Sequence, residues 1–121
     1  MSKINFILNL KLLDDIESAE SFIKDLSVPY TAQCDEPNTI SFEWYLNKEK
    51  KRALILETFK DSEAAVLRVE NLINSPVNEP FGRLFEVIEL TVLGQPNDAL
   101  KDILESWQPL YLPYIDGFSK S

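Results

Sequence analysis

An α+β fold, an antiparallel sheet covered on one side by helices, is predicted by three features of the sequence. Four short stretches alternate apolar and polar residues, stretches between and after them carry apolar residues at helical spacing, and turn-forming residues separate the two kinds. The order along the chain is strand, helix, strand, strand, helix, strand.

In the first strand, about Ile4 to Leu12, Ile4, Phe6, Leu8 and Leu10 interleave with Asn5, Ile7 and Asn9. Asp14 is placed to cap the helix that follows, with Glu17 reaching back in a capping box. Ile16, Ala19, Phe22, Ile23 and Leu26 then share one helical face, until Pro29 breaks or kinks it and Ser27 opens a further short turn. In the second strand Ile40, Phe42, Trp44 and Leu46 alternate with Ser41, Glu43, Tyr45 and Asn47. A charged tip, Asn47 to Arg52, joins it as a hairpin to the third, where Leu54, Leu56 and Thr58 alternate with Ile55, Glu57 and Phe59.

Asp61 caps the second helix, Glu63 lies in its positive first turn, and Ala65, Val66, Val69, Leu72 and Ile73 form its apolar stripe. Phe81 to Val87 forms one or two helical turns before the fourth strand, Ile88, Leu90 and Val92, which Gly94 and Pro96 end. Asn97 caps a last helix carrying Leu100, Ile103, Leu104 and Trp107, Pro109 stops it, and an apolar, aromatic tail runs from Leu110 to Phe118. This is the βαββαβ order of a ferredoxin-like fold with an extra C-terminal helix and tail, a single domain over 1–121. With the even-numbered strand residues facing the helices, the open face carries Ile7, Tyr45, Ile55, Phe59 and Leu93. An open sheet face that apolar predicts a second copy as partner, with the tail in the interface of a homodimer.

Composition narrows the chemistry. The chain is 45% hydrophobic and 26% charged, so it folds rather than staying disordered, and its net charge of -8 argues against nucleic acid as a partner. It has no histidine, which removes the usual general base, haem ligand and zinc ligand together. Cys34 is the only cysteine, so no intrachain disulfide forms, and without a neighbouring base it reads as an inert thiol. There is no Gly-rich phosphate loop, no metal-ligand spacing and no stretch near the roughly twenty apolar residues that span a bilayer. The expectation is a cytoplasmic protein that works without metal or cofactor.

Glu57 lies among aliphatics in Leu54-Ile55-Leu56-Glu57-Thr58-Phe59, where a strand rarely needs a charge, and Glu43 sits between Phe42 and Trp44. With the hairpin centred near Lys50, Glu43 falls opposite Glu57 and Tyr45 opposite Ile55, all on the open mixed face. In a partly dry site one of two facing carboxylates keeps its proton to higher pH, and such a group can take the proton of a phenol or quinol. Tyr45 or Asn9 then hydrogen-bonds the oxyanion, and Trp44 and Trp107, on apolar stripes, serve either as core or as the aromatic wall of a substrate pocket. The structural alternative pairs Glu57 with Arg83 or Lys11 at a dimer interface.

The segment Phe42 to Ala65, an aromatic strand, a charged turn, an aliphatic strand ending in Glu57-Thr58-Phe59 and Asp61-Ser62-Glu63-Ala64 opening a helix, resembles the centre of antibiotic-biosynthesis-monooxygenase domains. The C-terminal Gly117-Phe118-Ser119-Lys120-Ser121 is similar to the ending of small bacterial members, and the resemblance runs from about Ile4 to Ser119. It implies a dimeric α+β barrel, and oxygenation of quinols, anthrones or related phenols by molecular oxygen with no cofactor. A related branch degrades haem with a histidine ligand. The second helix here, Ala64 to Asn71, has none, which argues against that reaction. Two functions follow as expectations: a cofactor-independent monooxygenase on a small aromatic, or a non-catalytic dimeric module that binds a small molecule or serves as a scaffold.

Overall fold

The computed structural model describes residues 3–120; Met1, Ser2 and Ser121, included in the domain assignment above, lie outside the described residues. Five strands, β1 (Ile4–Leu12), β2 (Thr39–Asn47), β3 (Arg52–Phe59), β4 (Phe85–Leu93) and β5 (Leu110–Leu112), form one sheet in the order β2-β3-β1-β4-β5. β1 is central and antiparallel to both β3 and β4, while β5, drawn from the tail, lies parallel to β4. The fold is ferredoxin-like, with the C-terminal helix expected and an edge strand that was not.

The helices are α1 (Ile16–Phe22), α2 (Val28–Gln33), α3 (Ser62–Ile73), α4 (Asn78–Leu84) and α5 (Asp98–Leu104). Asp61 and Asn97 cap as expected, accepting from the backbone N–H of Ala64 and Leu100 at 2.9 Å each. The first cap is Asp15 rather than Asp14; its carboxylate accepts the Ser18 N–H at 2.7 Å. Between α1 and α2, Ile23–Ser27 forms a π-helical turn in which the Val28 N–H bonds the Ile23 carbonyl, five residues back. Pro29 accounts for it. It has no N–H to return to the Asp25 carbonyl, and its ring crowds that carbonyl, so the helix widens instead of ending. Ser27 is thereby buried at the sheet side of the helical layer.

All the helical packing is against one face of the sheet. Phe6, Phe59, Leu90 and Val92 pack with Ala65 and Val69 of α3 and Leu100 and Leu104 of α5, while Leu10, Leu12, Ala53, Ile55 and Phe85 pack with Ala19, Phe22 and Ile23. Leu8 touches both clusters. Among the described residues no helix is long and apolar enough to cross a membrane.

The face assignment drawn from the sequence fails in three places, each by one residue of register. The β2–β3 hairpin pairs Asn47 with Arg52, Trp44 with Ile55 and Phe42 with Glu57. Its loop holds Lys48 to Lys51, and Lys51 takes the left-handed conformation at φ 53. Glu43 therefore stands opposite Leu56, not Glu57, and Tyr45 opposite Leu54, not Ile55. Because side chains alternate, that slip turns the odd-numbered residues of β3 inward: Ala53, Ile55, Glu57 and Phe59 are buried. A second irregularity, at Thr39 to Ser41, leaves Ile40 exposed. The third is a bulge in β4: Asn9 pairs with Glu89 and Leu10 with Val87, so Ile88 is the extra residue and is exposed. The outer face carries Ile7, Leu54, Leu56, Tyr45 and Leu93, with Leu54 and Leu56 where Ile55 and Phe59 were expected.

Candidate active site

Between the inner face of the sheet and the helices lies a cavity of about 280 Å³. Phe6, Leu8, Ile55 and Leu90 form its floor, Phe42 and Trp44 one side, Val69 and Leu72 of α3 the roof, and Phe81 and Gly82 of α4 the opposite side; Val87 and Trp107 reach it from the exposed rim. Its polar groups are few. Glu57 and Arg68 are the charged ones, joined by Ser27, Thr31 and Asn78.

The aromatic side is built as a cluster. The Trp44 ring packs on Phe85 at 5.1 Å between centroids, on Phe22 at 6.2 Å and on Phe81 at 6.3 Å. Its indole N–H donates to the Ser27 hydroxyl oxygen at 3.1 Å. The π-helical turn thus does local work: it delivers a hydroxyl to the one polar atom of the indole and fixes the ring plane. Trp107, expected on a buried stripe, is 42% exposed at the rim, in a single 3₁₀ turn after α5.

Glu57 is placed by β3 with Phe42 directly across on β2 and Phe6 across on β1. Burial between these rings pushes its carboxyl up from 4.5 to about 7; the Arg68 guanidinium opposes that and the Glu36 carboxylate adds to it. Neither Arg83 nor Lys11 reaches it. Arg83 pairs with Glu79 on the surface and Lys11 is exposed on the outer face. Among the described residues no protein donor hydrogen-bonds the Glu57 carboxyl, and Glu57 lines the cavity.

Arg68 projects from α3 into the cavity lining but is already engaged. Its Nη1 lies 3.3 Å from Oε1 and 3.1 Å from Oε2 of Glu36, and both side chains are almost wholly buried. Glu36 also accepts from Asn71 Nδ2 at 2.8 Å and from the Thr39 hydroxyl at 3.2 Å. The pair is a closed, hydrogen-bonded unit rather than a free cation.

Of the residues singled out in the sequence, the structure brings Glu57, Trp44 and Trp107 to one cavity. Glu43, Tyr45 and Asn9 lie across the sheet from it, on the outer face. Sequence reasoning missed Arg68, Glu36, Ser27 and Thr31. Arg68 left a readable mark, a charge at helical spacing between Ala65 and Leu72 within an apolar stripe. Glu36, in a loop, left none. Among the described residues no cluster of three or more His, Cys, Asp or Glu side chains could hold a metal ion.

No protein-family model matches the chain, and no curated protein matches it by sequence. Solved structures do match. MupZ from Pseudomonas fluorescens superposes with a TM-score of 0.82 at 15% identity, over 99% of this chain and 96% of that one. SnoaB from Streptomyces nogalater, a cofactor-independent oxygenase, gives 0.62 at 10% identity over 80% and 96% of the two chains. HapK from Hahella chejuensis gives 0.59 at 18% identity over 78% and 93%. Identities this low speak for the backbone alone. At that level the likeness holds: the chain shares its ferredoxin-like fold with MupZ, SnoaB and HapK.

Proposed function

We propose that this protein is an acid–base enzyme acting on a small, largely apolar aromatic molecule, and that its reaction is the cofactor-independent oxygenation of a quinol or a related phenol. The observation that carries the reading is one carboxyl group, Glu57, buried against an aromatic-walled cavity with a proton affinity near neutral pH. Such a group exists in both forms at pH 7, the condition under which a general base works best.

The substrate lies against Trp44 with its acidic O–H or C–H at Glu57. Glu57 takes the proton, and the anion left in the dry cavity is electron-rich enough to pass an electron to dioxygen. The two radicals join as a peroxide, and where the oxidised carbon is a methylene, loss of water leaves a carbonyl: one oxygen atom goes into product and one into water. No metal enters this balance. Because Arg68 is held by Glu36, the cavity offers no free cation to a carboxylate, which favours an uncharged substrate. In this reading Glu57 is the base and Trp44 and Trp107 bind substrate, while Glu43, Tyr45 and Asn9 belong to the outer face. That face, with Ile7, Leu54 and Leu56, is where a second copy docks to make a homodimer. SnoaB, of the same fold, is a cofactor-independent oxygenase, which supports the reaction class.

Oxygen uptake with a panel of hydroquinones and anthrones, compared between wild type and Glu57→Gln, tests it. Uptake by the wild type that the variant loses is the expected result. A wild type that binds these aromatics but consumes no oxygen would make the cavity a binding site and the chain a non-catalytic module.

A further inference from the structure

We propose that Glu36, which does not line the cavity, is a positioning residue for it: by closing an ion pair on Arg68 it keeps that guanidinium from neutralising Glu57, and leaves Glu57 the one uncompensated carboxylate at the cavity. The inference rests on the reading of Glu57 as the acid–base group and adds to it the device that sets its charge state.

The geometry is specific. Arg68 is the only cation among the residues lining the cavity, and Glu57 the only acid. An arginine beside an acid ordinarily drives it to the ionised form, and a carboxylate so held is a poor base at neutral pH. Here the guanidinium is turned to Glu36, with one nitrogen within 3.3 Å of both carboxylate oxygens. Glu36 is itself held from two further sides, by Asn71 one turn along α3 and by Thr39 at the start of β2. At Glu57 the pair then acts as a dipole instead of a point charge. Its cationic end lowers the proton affinity, its anionic end raises it, and burial decides. The other elements around Glu57 bring no charge to alter this balance: Phe6 from β1, Phe42 from β2, Phe81 and Asn78 from α4, Ser27 and Thr31 from the π-helical turn and α2. A salt bridge of this depth is a poor source of stability, because desolvation offsets much of its attraction, so a role in setting a neighbour's charge gives it a reason to exist.

The test is a ¹³C NMR titration of the Glu57 carboxyl in the full chain, which reads the midpoint without any substrate. In wild type the midpoint is expected near neutral. Glu36→Gln leaves Arg68 as an unopposed cation and is expected to lower it by about one pH unit or more. The double variant Glu36→Gln/Arg68→Gln removes both charges of the pair, so neither is left buried without its partner, and is expected to return the midpoint to within about half a unit of wild type. A Glu36→Gln midpoint at or above the wild-type value overturns the proposal. So does a double variant whose midpoint rises by more than about a unit, since Arg68 would then have been acting on Glu57 unpaired. A chain that consumes no oxygen with any quinol yet gives this pattern loses the proposed reaction and keeps the tuning; an active enzyme whose titration ignores Glu36 does the reverse.

Discussion

The two faces of the sheet carry the same kinds of side chain in opposite surroundings. On the inner face Glu57 sits between Phe6 and Phe42 under the helices, and its carboxyl titrates near neutral. On the outer face, Glu43, one residue from Phe42 along β2, is exposed beside Leu56 with no helix over it. Residue type does not separate them, since both are strand glutamates with aromatic neighbours. What separates them is whether a helical layer has removed the water, and that is decided by one residue of hairpin register.

The comparison is broken most directly by exchanging each glutamate for glutamine. Glu57→Gln should lower kcat/KM for oxygen consumption by about a hundredfold or more, the usual contribution of a positioned base, while Glu43→Gln should stay within about twofold of wild type. Equal losses from both would mean that the outer face takes part in the chemistry. The same substitution has a second, pH-dependent effect whose sign follows from the raised pKa. The folded chain holds the Glu57 proton more tightly than the unfolded chain does. Below about pH 4.5 both states are protonated and there is no ionisation penalty; between there and about pH 7 the unfolded chain ionises first and stability falls; above that the penalty is complete. Moving the pKa from 4.5 to about 7 corresponds to about 3 kcal/mol. Urea melts should therefore find Glu57→Gln more stable than wild type at pH 8 by up to about 3 kcal/mol, and within about 1 kcal/mol of it at pH 4. A variant less stable than wild type at pH 8 would mean that the carboxylate is held by favourable contacts.

How much of this was legible beforehand differs between the two regions for physical reasons. The element order was readable because period-two and helical spacing are local signals, and Asp61 and Asn97 announced their helices by side-chain chemistry. The faces were not, because they depend on features that one residue decides. Lys51 takes a left-handed turn position that glycine or asparagine would have advertised, and the bulge at Ile88 falls in a run with no glycine to mark it. Glu57 stood out because a charge among aliphatics is costly wherever it points; that it points inward could come only from the pairing. The Glu36 and Arg68 partnership joins a loop to a helix, and no spacing rule connects them.

The outer face is probed by charge. Tyr45 is half exposed there, two residues from Glu43 on the same side of β2. If that face joins two copies, Tyr45→Asp adds a second carboxylate beside Glu43 and removes apolar area, and the dimer dissociation constant should rise about tenfold or more, about 1.4 kcal/mol. Sedimentation velocity at micromolar concentration reads it. The melting of the inner core should hardly change, and a wild type that sediments as monomer would leave this face without a second copy.

The smallest expected effect concerns glycine, and it contrasts the rim of the cavity with the end of the sheet. Gly82 is in the interior of α4 and exposed, its φ is not in the left-handed region, and a Cβ built on it meets nothing within 4 Å. Gly82→Ala should therefore raise stability by about 0.5–1 kcal/mol, because alanine loses less backbone entropy on entering a helix. Gly94 is the opposite case: it ends β4 at φ 115, and a Cβ there would stand 2.6 Å from the Lys3 carbonyl oxygen. Gly94→Ala must strain the backbone or push the start of β1 away, and should melt earlier than wild type. Parallel thermal melts of the two variants decide the matter. If Gly82→Ala also melts earlier, the space beside α4 is filled in solution, and the cavity mouth is narrower than its lining residues imply.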